Sequence, residues 1–348
     1  MHMLENQPLA PFTTFGIGGP ARWFVEAVSE DEIAEASAWA AEQGAALFVL
    51  GGGSNLLVSD RGFEGLVLYV GLRGVESVDD SRQRIYQVAA GENWDEFVER
   101  VVTECCAGVE CLAGIPGTVG GTPVQNVGAY GQEVASAIEL VRAFDLEQRT
   151  FVELTAGECG FEYRRSRFNS IDRGRYIVTR VDYRLTHGGA PTLRYADLQR
   201  AVKEDRENDR EPSLVEVAAA IRRVRESKGM LLVEGDPDCR SAGSFFKNPV
   251  VAEERVQQIA RTIAKQPPRF PAGPGQVKLP AAWLIEQAGF PKGYVLGAAG
   301  ISSRHTLALI NRGEATSEAI LTLASQIAAA VDAQFGISLE MEPVMVGF

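Results

Sequence analysis

Residues for nucleophilic and metal chemistry are scarce in this chain: 348 residues include three histidines and five cysteines, and no run of 18 apolar residues occurs. With so few histidines, one of them at position 2, a histidine-based triad or histidine-rich metal site has little to be built from, and no metal is expected. The cysteine count is odd, Cys105 and Cys106 are adjacent, and there is no CxxC pair, which argues against a disulfide framework or zinc ribbon and for reduced thiols. The missing apolar run argues against a membrane-spanning helix, and MHMLENQPLAPFTTFGIGGP at the start lacks the basic region and apolar stretch of an export signal. Positive charge is also in deficit. Lys and Arg total 34 against 46 Asp and Glu, and a net charge of −12 opposes nonspecific binding to nucleic acid or anionic membranes. A phosphate-bearing ligand therefore needs a local basic pocket, and the chemistry needs other residues or a cofactor.

What the chain does have is glycine, 36 residues of 348. That is about 10% against a usual level of about 7%, and much of the excess sits in GGGSN at 51–55 and GIPGTVGGTPVQNVGAYG at 114–131. The length and a hydrophobic content of 45% predict two or three domains. Ser29 stands three residues before Glu32 at the head of an apolar helical pattern, so a capped helix is predicted over 29–43. Strands are predicted at 46–50, 66–70, 85–90, 137–145, 149–154 and 176–185, with a helix at 93–107. Helical patterns then dominate, at 195–204, 214–228, 251–264, 281–289 and 316–335, and QPPRFPAGPGQ at 266–276 reads as a surface loop. No helix is predicted directly after GGGSN, so the dinucleotide fingerprint of a Rossmann fold, which opens a helix on its glycines, does not apply.

Consecutive glycines after a strand let backbone N–H groups converge on an anion, and Ser54 and Asn55 would add side-chain contacts; the plain alternative is a strand-ending turn. The second patch places glycines, prolines and the amides Gln125 and Asn126 close together, which suits backbone approach to a large planar ligand. Further along, Ser244 lies between glycine and two phenylalanines in AGSFFKNP, where composition alone favours a loop serine and two core rings. Arg164 and Arg165 default to solvated charges, as do Arg222, Arg223, Arg225 and Lys228 on a helical pattern. Glu342, in the alternating stretch SLEMEPVMV, would ordinarily face solvent.

Taken in order, TTFGIGGPA at 13–21, GGGSNLLV at 51–58, the 113–133 patch, FEYR at 161–164, LRYADL at 193–198, SFFKNP at 244–249, KLPAAWLIEQAG at 278–289 and LEMEPVMVG at 339–347 resemble the UDP-N-acetylenolpyruvoylglucosamine reductase (MurB) family, in its longer, type I branch. The resemblance implies an α+β chain with an FAD-binding domain of the vanillyl-alcohol-oxidase or PCMH type. It implies the following division: 1–190 as the FAD-binding region, with a core at about 14–188 and two subdomains, 191–338 as a smaller α+β substrate domain, and 339–348 as a C-terminal strand carrying Glu342 back to the active site. For noncovalent FAD it points to Gly51, Gly52, Gly53, Ser54, Asn55 and Leu56. In the second patch it points to Ile115, Pro116, Gly117, Thr118, Gly120, Gly121, Gln125, Asn126, Gly128, Ala129 and Tyr130.

The implied reaction has NADPH reduce FAD and leave, after which UDP-N-acetylglucosamine enolpyruvate takes a hydride on its vinyl group, in the cytoplasm of a bacterium making peptidoglycan precursors. Arg164 and Glu342 match the residues that stabilise the enolate-like charge, Glu342 in its protonated form, and Ser244 matches the proton donor. Tyr163, Tyr195, Arg225, Lys228, Asn248 and Lys278 match substrate contacts. A monomer without nucleic-acid or membrane partners is expected. Two departures from relatives stand out, Pro343-Val344 after the glutamate and a longer loop at 229–240. The competing readings are a flavin oxidase of a sugar or alcohol on the same FAD domain, and a non-catalytic UDP-sugar-binding protein.

Overall fold

The structure is a computed structural model that describes residues 1–204, 210–263 and 266–348. Contacts divide it into two compact units. The first comprises Met1–Gln7, Ala21–Gly53 and Glu64–Glu226; the second comprises Pro8–Pro20, Ser54–Phe63 and Ser227–Phe348.

In the first unit, helix α1 (Glu30–Glu42) starts where Ser29 Oγ accepts the Glu32 N–H at 3.2 Å. The return bond from the Glu32 carboxylate reaches the N–H of Val28, one residue before the cap. Its buried Ile33, Ala36 and Ala40 form one helical stripe. Strand Ala46–Leu50 pairs in parallel with Phe63–Val70 in a four-stranded sheet, and the unbroken run Leu66, Val67, Leu68 is buried because that strand is covered on both faces. A second sheet is antiparallel, in the order Thr150–Thr155, Ile138–Asp145, Tyr176–His187, Gln83–Ala89, Val75–Asp80.

Helix α2 (Trp94–Thr103) packs Phe97, Val98, Val101 and Val102 into the core. It ends four residues before the predicted 107. Cys105 takes the left-handed conformation (φ 57°), which no helix continues through, and Cys106–Ala107 then pair with Thr186 and His187. Helices α3 (Ala196–Glu204) and α4 (Leu214–Ser227) complete this unit. They bury Leu198, Val202, Leu214, Val217, Ala218, Ala220 and Ile221 in its core, so the contact boundary lies at 226, whereas the sequence reading drew it at 190.

The second unit gathers Phe15, Ile17, Leu57, Phe245 and Phe246 with helices α5 (Glu253–Ile263), α6 (Ala281–Gln287) and α7 (Ser317–Phe335). Asp60 holds the start of α7, accepting from Ser317 N at 2.9 Å and Ser317 Oγ at 2.7 Å. The segment 266–276 corrects the sequence reading. Rather than a loop it carries strand Phe270–Gly273, paired with Gln276–Lys278 in a three-stranded sheet completed by Val250–Ala252. Its prolines are tolerated because Pro271 lies on an edge strand beside a register shift, and Pro274 precedes Gly275 (φ 70°) in the turn. The C-terminal strand is likewise shorter than the alternation at 339–347 suggested. Only Val344–Val346 is strand, parallel to Leu56–Val58, and Pro343 sits just before it, where no donor is required.

Candidate functional site

The two glycine patches, separate in sequence, meet in the first unit. A Cβ on Gly52 would come within 2.5 Å of Gly117 Cα, and one on Gly51 within 2.9 Å of Thr118 Oγ1. Backbone lies directly against backbone there, and a side chain at Gly52 has no room. Gly53 (φ 60°), Gly114 (φ 73°) and Gly117 (φ 127°) adopt conformations that favour glycine. The second patch is pinned from below, by Trp94 N to Gly117 O at 3.1 Å, Val119 N to Glu92 O at 2.9 Å and Gly120 N to Ala90 O at 2.8 Å. Ile115, Ala129 and Tyr130 pack against the core, and Pro116, Thr118, Gln125 and Gly128 are half-buried, while Gly121 is exposed.

Backbone strain concentrates at the same place. Of the seven non-glycine residues with positive φ among the described residues, Asn126 (42°), Tyr130 (49°) and Arg164 (56°) belong to the expected site. Asn126 is buried, and its amide is spent on protein: Nδ2 donates to Glu133 Oε2 and to Glu162 O, both at 3.0 Å, and Oδ1 accepts from Ala135 N at 3.2 Å. Its side chain therefore shapes the loop. Arg164, far from being a solvated charge, is half-buried with Nη2 donating to Gly128 O at 2.8 Å and its guanidinium 5.7 Å from the centre of the Tyr163 ring. Arg165 is exposed and pairs with Glu162. Tyr195 meets Tyr130 edge to face at 6.4 Å, and Gly131 leaves the room that Tyr195 fills.

Helix α4 corrects a second default. Arg222 pairs with Asp95, and Arg225 Nε donates to Gly114 O at 2.9 Å, so this face of the helix grips the glycine loop. Burial pulls the Arg225 guanidinium below the usual arginine range, opposed by Tyr130 and Asp95 and reinforced by Arg164. Burial also pushes the Tyr130 hydroxyl up, against the pull of Arg225. Asp95 carried no signal in the sequence beyond a place in a helical first turn.

The remaining candidates collect in the second unit. Glu342 N donates to Phe245 O at 2.9 Å, and Asn55 Nδ2 donates to Glu342 O at 3.2 Å. Val344 N donates to Asn55 O, Lys247 N to Glu340 O, both at 2.9 Å, and Phe246 bridges Met341. The Ser244-bearing segment thus runs beside Glu342, with Phe245 and Phe246 buried and Ser244 and Glu342 half-buried. Ser54 and Leu56 flank Asn55, Leu56 in register with Val344. Asn248 Oδ1 accepts the first N–H of α6, from Ala281, at 2.9 Å, which leaves its NH2 as donor. Lys278 lies in strand between Val250 and Phe270, both exposed.

Lys228 follows α4 directly and shares its surroundings with two residues the sequence did not single out, Lys292 and His305. Burial, then Lys228 and Lys292, lower the His305 pKa to about 4, with Glu286 opposing, and Nδ1 accepts from Leu307 N at 3.1 Å. His305 is thus neutral in the fold at neutral pH, and its proton affinity is higher in the unfolded chain. Between about pH 6.5 and pH 4 the unfolded state binds the proton first, so stability falls as pH falls through that window. Thermal melts of wild type and His305→Gln from pH 7 to pH 4 are expected to diverge, with the variant sparing up to about 3 kcal/mol of that loss. Parallel curves would refute the assignment. The 229–240 loop is anchored beside these residues, Arg304 pairing with Asp236 and Asp238, and Ser303 Oγ donating to Asp238 at 2.6 Å. Among the described residues no cluster of His, Cys, Asp and Glu is arranged to hold a metal, and no helix is long and apolar enough to cross a membrane.

Comparison with known proteins bears on both units. Residues 21–147 match a family model described as FAD binding domain, and residues 236–346 match one described as UDP-N-acetylenolpyruvoylglucosamine reductase, C-terminal domain. The chain is 46% identical to the UDP-N-acetylenolpyruvoylglucosamine reductase of Streptomyces coelicolor, over 99% of this chain and 90% of that protein. It is 46% identical to the one from Thermobifida fusca, over 99% of this chain and 98% of that protein. Among solved structures it is similar to UDP-N-acetylenolpyruvylglucosamine reductase from Thermus caldophilus, with a TM-score of 0.67, 26% identity, and coverage of 99% of this chain and 98% of that one.

Proposed function

The chain belongs to the UDP-N-acetylenolpyruvoylglucosamine reductase family, and from that premise we propose that it reduces UDP-N-acetylglucosamine enolpyruvate to UDP-N-acetylmuramate with NADPH, in the cytoplasm, as a step of peptidoglycan precursor synthesis. The residues present fit a flavin. Gly52 and Gly117 abut backbone to backbone, which brings the two patches together with no side chain between them, and neither patch contains a histidine for covalent tethering. Gly51, Gly52, Gly53, Ser54 and Asn55 would hold the pyrophosphate, and the backbone from Ile115 to Tyr130 would line the ring system. When bound, FAD supplies the hydride that adds to the vinyl carbon of the substrate.

That addition leaves negative charge beside the substrate carboxylate, delocalised into an enolate-like dianion. Arg164 stabilises it as a fixed cation, since its strained backbone and its bond to Gly128 O hold the guanidinium before substrate arrives. Glu342 contributes by donating its carboxylic proton in a hydrogen bond to the same charge. Ser244 Oγ gives its proton to the carbanion carbon and recovers one from solvent, so hydride and proton together saturate the double bond. Arg225, Lys228 and Lys278 supply the positive charge for the diphosphate that an acidic chain must provide locally, with Tyr163, Tyr195 and Asn248 as polar and aromatic contacts.

The observation that carries this reading is the bond from Glu342 N to Phe245 O, which sets the proposed acid pair, Ser244 and Glu342, on neighbouring stretches of chain. The reading is tested by following NADPH oxidation with and without UDP-N-acetylglucosamine enolpyruvate. Strong stimulation by that substrate is expected. Oxidation that proceeds equally without it, with oxygen consumed, would favour an oxidase.

A further inference from the structure

We infer that Asp95 is a positioning residue for FAD, acting through the backbone of Gly114; this rests on the reading above that the 114–130 backbone lines the flavin. Asp95 stands in the first turn of α2, where an acidic side chain ordinarily serves the helix end. That task is already performed by Asn93, whose Oδ1 accepts from Asp95 N at 2.9 Å and Glu96 N at 3.2 Å. The Asp95 carboxylate is turned to two other donors instead. Oδ1 accepts the N–H of Gly114 and Oδ2 accepts from the Arg222 guanidinium.

Both polar groups of Gly114 are thereby held by side chains, its N–H by Asp95 on α2 and its carbonyl by Arg225 on α4. Arg222 and Arg225 are three apart on one helical face, so the Asp95–Arg222 pair also fixes the helix that presents Arg225. Gly114 has φ 73° and lies outside any regular element, so no helix or ladder sets its conformation; these side chains do. Only Ile115 and Pro116 separate it from Gly117, whose Cα abuts Gly52. A displacement at Gly114 is therefore carried along a short, stiff segment to the contact between the two glycine patches. The charge of Asp95 further favours the charged form of half-buried Arg225. A simple stabilising ion pair would need only one of the two carboxylate oxygens.

The test titrates FAD into apoprotein by flavin fluorescence and records the bound flavin's visible spectrum and the melting temperature. Wild type that takes up no FAD would overturn the functional reading itself. With wild-type binding in hand, Asp95→Ala is expected to weaken FAD at least about 10-fold and to shift the flavin absorption bands. Asp95→Asn keeps an acceptor for the Gly114 N–H but turns an NH2 toward Arg222, and is expected to lose less than about 5-fold, whereas Asp95→Glu keeps the charge, displaces the acceptor, and is expected to lose about 5-fold or more. A folded alanine variant with wild-type affinity and spectrum overturns the inference, as does an asparagine variant weaker than the glutamate one. Should the alanine variant not fold, the asparagine and glutamate pair decides alone.

Discussion

Ser244→Ala is expected to slow turnover at least about 100-fold while leaving reduction of the flavin by NADPH near wild type. The division follows from where the hydroxyl is needed. On the proposed roles, reduction of the cofactor asks nothing of Ser244, but the half-reaction with substrate ends only when a proton reaches the carbanion carbon. Serine is a weak acid, but in the proposed reaction the carbanion is the stronger base. Phe245 and Phe246, both 1% exposed, anchor the residues that follow, and Phe245 O is bonded to Glu342 N. Stopped-flow absorbance separates the two half-reactions. Turnover near wild type would show that the proton comes from elsewhere, and equal losses in both halves would point to a distorted site. The distinction matters because an alanine here removes one oxygen and leaves the two phenylalanine anchors in place.

The second large effect is expected from one methyl group. Gly52→Ala weakens FAD binding by about 10- to 100-fold, because its Cβ would lie 2.5 Å from Gly117 Cα and 2.8 Å from Gly117 C, and neither backbone atom can rotate away. Gly51→Ala meets a movable side-chain oxygen, Thr118 Oγ1 at 2.9 Å, and is expected to cost less than Gly52→Ala. Gly52 does not have a positive φ, so its alanine variant reports space alone. FAD titration of the two apoproteins, with melting temperatures as control, measures the order. If Gly51→Ala proves the more damaging, the contact between the patches is not what shapes the cradle.

Some of this was legible in the chain because it depends on neighbours in sequence. Ser29 and Glu32 announce α1, and the short apolar runs at 46–50 and 66–70, bounded by turn residues, announce strands, since capping and local composition depend on sequence neighbours. The glycine patches could be seen as anomalous, and their order among other motifs named the family and the α+β class. The pattern also misled where tertiary pairing overrode it. The prolines of 266–276 argued for a loop, yet an edge position and a glycine turn let Phe270–Gly273 pair. Helix α2 would run on to 107 by pattern, but Cys106–Ala107 find a strand partner in Thr186–His187.

By itself, then, the sequence determined the types of most elements, the family and the flavin, and it nominated candidate groups for acting on a substrate. Tertiary structure decided what several of those groups touch within the protein. Asn126 turned inward to Glu162, Arg222 and Arg225 turned from a solvated face to the glycine loop, and helices α3 and α4 joined the first core. It also revealed that Gly52 is bare because Gly117 occupies the place of its side chain. The physical reason is the same in each case: burial, ion pairing and close backbone approach are set by residues tens of positions away, and local propensity carries no record of them.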